Sequence, residues 1–314
     1  MRHKWGLNED YFSGHNHNHH FFLALEKIRE SGFDGVLMID PRKYSLTLSE
    51  IKKGLKESEL SLIQLHSDYF NMANPDPEER KKATEWYKKR VEYALELEAE
   101  QLVIHAGGET MCFISEEEMR EAARRNAECL LKGAIKKAEG TNLKIVLENS
   151  GGLETRPRYL KEIMKKVKGT FLEKRIKEKG GLEPRYRFGT RPNHLIEVVK
   201  IIQKESNYKN IGICLDVGHA FASKLNVKEA IFEGGEYIIS THIHDNSKPS
   251  GEEDEHLLPG MGLIKWDEVM RAFKEISYAG PFVFEITLPE SEKRDWDEKA
   301  KLVRKSKKLL KDFL

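Results

Sequence analysis

Short apolar runs alternate with longer amphipathic segments along the chain. Each run is almost continuous in apolar residues, as expected for parallel strands that are buried on both faces. The eight predicted strands are Lys4–Leu7, Gly35–Ile39, Leu60–Leu65, Gln101–His105, Lys144–Glu148, Ile211–Asp216, Tyr237–His244 and Phe282–Ile286. Eight β/α units in succession predict a closed barrel or a doubly wound sheet. No glycine-rich GxGxxG motif follows the first strand, so the dinucleotide-binding sheet is the weaker alternative. We therefore expect an α/β protein, with one (β/α)8 TIM barrel domain over residues 1–314.

Amphipathic patterns between and after the strands predict the outer helices of this barrel. The clearest are Glu78–Leu97, Ser115–Ala138 with Ser115 as N-cap, and the closing helix within Glu292–Phe313. One basic stretch, Lys168–Pro192, fits neither pattern and is predicted to be an insertion between strands 5 and 6. It could be a surface excursion or a lid over the site, and the sequence leaves both readings open.

Composition excludes few classes of function. The formal net charge of +1 gives no support for nucleic-acid binding, although a local basic groove would suffice for it. No apolar run reaches about 18 residues, which argues against a transmembrane helix. The first residues lack the apolar centre of a signal peptide. The three cysteines, Cys112, Cys129 and Cys214, form no CxxC motif and are expected to be reduced thiols in a cytoplasmic protein.

Histidines and carboxylates stand at or just after the C-terminal ends of six predicted strands. They are His66, His105, Glu148, Asp216, His219, His242, Asp254, His256 and Glu285. In a β/α barrel these ends meet at one mouth, where the active site lies. A lone histidine is more often a hydrogen-bonded core residue, and a lone aspartate at a strand end is more often a helix cap. Burying nine ionisable groups without a cation would be costly, however. The pattern predicts one to three divalent ions, with Zn²⁺, Mn²⁺ or Co²⁺ as the suitable metals.

The run HNHNHH (His15–His20) is a separate histidine cluster in the first βα loop. We interpret it as an unspecific polar lip of the mouth, with an additional metal site as the less favoured alternative.

Motifs around the nine residues resemble those of the xylose isomerase-like barrels. This superfamily includes sugar phosphate isomerases and epimerases, and also endonuclease IV (AP endonuclease family 2). The sharpest motifs are LHSDYFNMANPD (Leu65–Asp76), VIHAGG (Val103–Gly108), LENSGG (Leu147–Gly152), LDVGHAFA (Leu215–Ala222), HIHDNSK (His242–Lys248), DEHLLPGMG (Asp254–Gly262) and FEI (Phe284–Ile286). The resemblance covers nearly the whole chain. It is specific to the superfamily and much less specific to one activity.

Similarity to the isomerase and epimerase branch implies that Glu148, Asp216, His242 and Glu285 hold one metal ion. Glu148 and Glu285 would also act as the catalytic acid/base pair, and Tyr69 and Lys248 are expected to contact the substrate. Three sequence segments are similar to those of this branch: DEHLLPGMGLIKWDEV, HIHDN and, near the N-terminus, KWGLN. Related isomerases often form dimers or tetramers, so a homo-oligomer is compatible with the resemblance.

Similarity to endonuclease IV implies instead that all nine residues hold three zinc ions for hydrolysis of abasic DNA. Tyr69 and Phe70 would then occupy the positions that wedge into the duplex. Three departures disfavour this branch: the N-terminal AHxS-like segment is absent, HIHDNSK replaces HLNDSK, and the basic insertion has no recognised counterpart. We therefore favour a metal-dependent isomerase or epimerase acting on a small sugar, sugar phosphate or polyol. The endonuclease is the alternative, and a non-catalytic binding barrel is a third reading that the intact glutamate pair argues against.

Overall fold

Eight parallel strands close into a barrel in the computed structural model of the chain. The structure describes residues 2–13, 17–107, 116–150, 188–249, 254–287 and 295–314, together with residues 165, 168, 169 and 174. The strands are β1 (Trp5–Asn8), β2 (Gly35–Met38), β3 (Ser61–His66), β4 (Gln101–His105), β5 (Lys144–Glu148), β6 (Ile211–Asp216), β7 (Ile238–Ile243) and β8 (Phe282–Phe284). Each strand pairs in parallel with the next, and β8 pairs with β1. The barrel therefore has no open edge.

The barrel predicted from the apolar runs is confirmed. Strands β4, β5 and β6 have the predicted bounds, and every other predicted strand overlaps an observed one. The largest shift at a strand end is in β8, which stops at Phe284, two residues before the predicted Ile286. Buried parallel strands are easy to recognise because both of their faces are apolar.

Helices surround the barrel and connect its strands. In the described residues they are α1 (Asp10–Ser13), α2 (His17–Glu30), α3 (Leu48–Glu57), α4 (Pro77–Glu96), α5 (Glu116–Leu130), α6 (Lys136–Ala138), α7 (Pro192–Glu205), α8 (Val217–Ala222), α9 (Val227–Gly234), α10 (Trp266–Glu275) and α11 (Trp296–Lys311). A π-helical turn, Leu131–Ile135, joins α5 to α6, so these elements form the predicted helix up to Ala138. Helix α4 begins at Pro77, one residue before the predicted start, with Asp76 as a side-chain N-cap.

Some predictions concern residues outside the described ranges. Most of residues 168–192 and the predicted cap Ser115 fall there, so the insertion and the single-domain assignment stay predictions. Of the histidine run, residues 17–20 begin α2. Cys129 and Cys214 are buried free thiols, whereas Cys112 is not described. No helix among the described residues is both long enough and apolar enough to span a bilayer.

Residues inside the barrel are arranged in layers along the strands. A small apolar cluster, separate from the main core, consists of Val103, Val146 and Cys214, with Ile239 packed against it. His105, Glu148 and Asp216 stand two residues further along the same three strands. Side chains two residues apart on a strand share a face. These three polar side chains of the mouth therefore lie directly above apolar residues.

The buried carboxylate of Asp245 organises the loop between β7 and α10. Its Oδ1 accepts hydrogen bonds from the main-chain N–H groups of Asn246 (2.9 Å) and Ile264 (3.1 Å). Its Oδ2 accepts one from the Gly260 N–H and one from the Trp266 indole N–H, each at 2.9 Å. Four donors compensate this carboxylate for the loss of water. Asp245 therefore links both ends of the loop to its middle.

We expect Asp245→Asn to destabilise the protein by about 2–3 kcal/mol, because the new amide N–H₂ would face donors and leave them unsatisfied. The matched control is Asp267→Asn. Asp267 forms an exposed ion pair with Arg271 on α10, and its loss should change the free energy of unfolding by less than about 1 kcal/mol. Urea denaturation would measure both values. Equal stability of the two variants would show that the loop does not depend on Asp245.

Candidate metal centre

The nine predicted ligand residues all lie in the described part of the chain, and they meet at the C-terminal mouth of the barrel. Together with His244, which was not predicted, they form three groups: His66, His105 and Glu148; Glu148, Asp216, His242 and Glu285; and His219, His244, Asp254 and His256. Within each group, one donor atom per residue lies within 4.8 Å of the others. A further combination, His66 with His242 and Glu285, overlaps the first two groups. The side chains therefore form one continuous cluster.

The barrel explains this convergence. His66, His105, Glu148 and Asp216 are the last residues of β3, β4, β5 and β6, and parallel strands of a barrel all end on the same face. Asp216 also caps α8, because its Oδ1 accepts a hydrogen bond from the His219 N–H at 2.6 Å. This cap fixes the first turn of α8 and brings His219 to the mouth as well.

Glu148 connects the first two groups. Its side chain is fully buried. Its Oε2 lies 2.8 Å from His66 Nε2 and 3.3 Å from His105 Nε2. Its Oε1 lies 2.8 Å from His242 Nδ1. One carboxylate thus faces histidines from three strands, and each of its oxygens could contact a different ion.

His242 Nδ1 is the meeting point of the second group. It lies 3.2 Å from Glu285 Oε2 and 3.7 Å from Asp216 Oδ2, in addition to its contact with Glu148. Three carboxylates and one imidazole around a common point are a suitable donor set for Zn²⁺ or Mn²⁺.

The third group is built around Asp254. Its Oδ2 lies 2.8 Å from His219 Nε2 and 3.3 Å from His256 Nε2. His256 has a positive φ of 48°, a conformation that non-glycine residues seldom adopt. Its Nδ1 contacts the main-chain oxygen of Glu285 at 2.9 Å, which ties the β7–α10 loop to the end of β8.

Sequence reasoning missed His244. Its Nε2 lies 2.9 Å from Asp216 Oδ1, and its ring stacks on that of His256 with centroids 3.9 Å apart. The signal was available, because His244 follows His242 by two residues and should therefore share its side of the chain. Gly218 makes room for it, since a Cβ at that position would lie 1.9 Å from the His244 ring.

Burial and mutual charge set the ionisation of the cluster. Burial opposes ionisation of Glu148, but His105, His242 and His66 outweigh it and hold the pKa of this carboxyl well below its usual range. Burial also opposes protonation of His219, yet Asp216 and Asp254 raise its pKa well above the usual value. Burial dominates at His105 and lowers its pKa to about 4. The metal-free site therefore combines carboxylates with imidazolium groups, whose protons a metal ion would displace.

Three buried polar atoms of the cluster form no well-aligned hydrogen bond with another described residue. They are His105 Nδ1, His244 Nδ1 and Glu285 Oε2. An unsatisfied buried polar atom is unfavourable, and such atoms need an explanation. Glu285 Oε2 and His244 Nδ1 belong to groups whose donor atoms already converge. These residues therefore fit a bound divalent cation.

The two residues expected to contact substrate lie on loops that follow metal-centre strands. Tyr69 follows β3 and is 44% exposed. Lys248 follows β7 and is also exposed. Their contact with a substrate stays a prediction.

Residues 25–311 match the sequence profile of the xylose isomerase-like TIM barrel family. The chain belongs to this family. An uncharacterized protein of Methanocaldococcus jannaschii is 29% identical over 300 residues, covering 93% of this chain and 84% of that protein. The match to this relative spans most of both chains, so the resemblance noted from the motifs is confirmed.

Solved structures of low sequence identity share the fold of this chain. The IolI protein with a bound zinc atom aligns with a TM-score of 0.73 at 20% identity, covering 99% of each chain. D-psicose 3-epimerase in the presence of D-fructose aligns with a TM-score of 0.68 at 15% identity, again over 99% of each chain. A D-tagatose 3-epimerase-like protein aligns with a TM-score of 0.66 at 24% identity over 98% of each chain. At these identities the similarity shows the fold.

We expect His256 to stabilise the metal-free protein in a pH-dependent way. Burial lowers its pKa, but Asp254 and Glu285 outweigh this and raise it to about 9. A raised histidine pKa contributes stability that is fully present below about pH 6.5 and is lost as the pH rises through about 9. The difference in Tm between chelator-treated wild type and His256→Gln should therefore narrow from pH 6.5 to pH 9. A constant or widening difference would contradict this assignment.

Proposed function

We propose that this protein is a metal-dependent isomerase or epimerase. Its substrate would be a small sugar or sugar phosphate, and the reaction would move a proton on a carbon beside the carbonyl group. Family membership supports an enzyme of this general kind. Neighbouring structures include epimerases of ketose sugars.

The observation that carries the proposal is the convergence of Glu148 and Glu285. Glu148 Oε1 lies 2.8 Å, and Glu285 Oε2 lies 3.2 Å, from the same atom, His242 Nδ1. The two carboxylates come from β5 and β8. Two carboxylates that face one position from different strands can remove a proton and return one.

The second group supplies the ligands that this chemistry needs. Glu148, Asp216, His242 and Glu285 would hold a divalent ion, which when bound would polarise the substrate carbonyl and acidify the neighbouring C–H bond. This chain contributes the rest: one ionised glutamate accepts the proton from the carbon, and the other, in its protonated form, donates its own proton to the opposite face of the carbon or to the adjacent carbon. Proton exchange with water then restores both groups. Lys248 and Tyr69 would bind the substrate hydroxyl or phosphate groups.

Hydrolysis of a phosphodiester is the second candidate. Its support is that all three ligand groups are contiguous and that the first two share Glu148, as a site for several adjoining ions requires. Abasic DNA would be the substrate under the resemblance to endonuclease IV. Tyr69 and the half-buried Phe70 would then face the duplex.

We expect Glu148→Gln and Glu285→Gln each to reduce turnover by about 10²-fold or more, because the amide cannot accept the substrate proton. Exchange of the substrate C–H with solvent deuterium, followed by NMR on a panel of ketoses and ketose phosphates, would measure the step directly. Glu275→Gln, on the exposed face of α10, is the matched control. His66→Ala should be milder, since His66 lies outside the four-ligand group. Normal exchange in both glutamate variants would contradict the proposal.

The number of bound ions separates the two candidates. For the isomerase we expect about one ion per chain, and for the hydrolase about three zinc ions, by elemental analysis of protein purified without added metal or chelator. The hydrolase also predicts cleavage of abasic duplex DNA that a strong chelator abolishes. A fully loaded protein that leaves this DNA intact would exclude that candidate.

A further inference from the structure

A line of buried polar side chains leads from His242 into the interior of the barrel. His242 Nε2 lies 3.1 Å from Gln64 Oε1, and Gln64 Nε2 donates to Ser240 Oγ at 2.7 Å. The Ser240 hydroxyl donates to Gln101 Oε1, and Gln101 Nε2 reaches the main-chain oxygen of Ile239 at 3.4 Å. All four side chains are buried, with Gln64 and Ser240 at 0% exposure.

The main-chain oxygen of Ile239 determines which group donates and which accepts in each hydrogen bond of this series. A carbonyl oxygen can only accept, so the amide N–H₂ of Gln101 must face it and the amide oxygen must face Ser240. The Ser240 hydroxyl has one proton, which it donates to Gln101, so its oxygen is left to accept from the Gln64 N–H₂. Gln64 therefore turns its oxygen toward His242, and His242 must carry a proton on Nε2.

Three of the other histidines of the centre share one arrangement, whereas Nδ1 of His105 and of His244 forms no hydrogen bond with another described residue. His66, His219 and His256 each place Nδ1 within 3.0 Å of a main-chain oxygen, those of Ser67, Asn149 and Glu285. Their Nε2 atoms face the carboxylates. His242 is reversed, because Nδ1 faces the carboxylates and Nε2 faces the barrel interior. Gln64 Oε1 is the acceptor for Nε2 of His242, as a main-chain oxygen is for Nδ1 of His66, His219 and His256.

We propose that Gln64 is a positioning residue for the metal centre. It keeps a proton on Nε2 of His242, so that Nδ1 is the nitrogen left to bind an ion held between His242, Glu148, Asp216 and Glu285. Hydrogen bonds through Ser240 and Gln101 connect Gln64 to the main-chain oxygen of Ile239 and thereby fix the orientation of the Gln64 amide. This inference rests on the proposed function, in which the second group holds an ion.

A purely structural role would not require these residue types. When both partners of a buried hydrogen bond are replaced by apolar groups of similar shape, stability changes little, so an apolar interior would pack at least as well. A histidine that ligates a metal ion, in contrast, needs an acceptor on its other nitrogen to fix its tautomer and ring orientation.

The test compares zinc affinity of Gln64→Met, which keeps the length of the side chain but removes the acceptor, with that of Gln64→Glu, which keeps the acceptor. Competition with a chromophoric chelator would give the dissociation constant of each bound zinc ion, and His242→Ala would identify the ion that depends on His242. We expect Gln64→Met to weaken that ion about 10–100-fold. Gln64→Glu should bind it at least as tightly as wild type. Ser240→Ala should have a smaller effect than Gln64→Met, because Gln64 Nε2 also lies 3.4 Å from Gln101 Oε1.

The outcomes separate this inference from the proposed function. If the wild-type protein binds no zinc, the proposed metal centre itself is wrong, and this inference with it. If it binds zinc but Gln64→Met binds equally well, only the role of Gln64 is overturned. If Gln64→Met and Gln64→Glu lose affinity equally, Gln64 serves packing and the inference is likewise overturned. The Tm of each metal-free variant shows that the compared proteins are folded.

Discussion

The fully buried carboxylate of Glu148 is the interaction on which the mouth of the barrel depends. An ionised group at zero exposure is unfavourable unless charged or hydrogen-bonding partners surround it. Here the partners are His66, His105 and His242, which come from three other strands. They can meet Glu148 only when the barrel is closed. The same contacts that permit burial of this charge therefore also bring the donor atoms of the cluster together.

Two sets of contacts restrain the side chains of this cluster, one inside the barrel and one on its rim. An apolar layer and the polar line through Gln64 lie inside the barrel, where they restrict the side chains of the mouth from below. On the rim, the Asp245 carboxylate restrains the β7–α10 loop through four N–H donors. That loop carries His256 in a positive-φ conformation, which costs of order 1 kcal/mol for a non-glycine residue. The contacts of Asp245 and of His256 itself offset this strain.

The arrangement also explains why family membership alone does not name a reaction. Glu148, Asp216, His242 and Glu285 suit proton transfer beside a carbonyl and equally suit a site of several ions. The two chemistries differ in what the remaining groups hold and in what the loops admit. His244 adds a further imidazole to the third group. The substrate is therefore a property of the βα loops more than of the strand ends.

Local sequence patterns were sufficient to predict the barrel and most of its candidate site. Buried parallel strands are continuous apolar runs, so a polar residue at the end of such a run is easy to recognise. Glu148 and Asp216 could therefore be predicted as site residues from the sequence. Their convergence also followed from topology, because all barrel strands end on one face. Three features became visible only in the folded chain. The donors divide into three groups, His244 is among them, and His242 presents Nδ1 to the carboxylates while Gln64 contacts its Nε2. These features depend on side-chain directions and on contacts between residues far apart in the chain, such as Gln64 and Ser240. Local patterns carry no information about such contacts, because pairing between distant strands is set by the closure of the whole barrel.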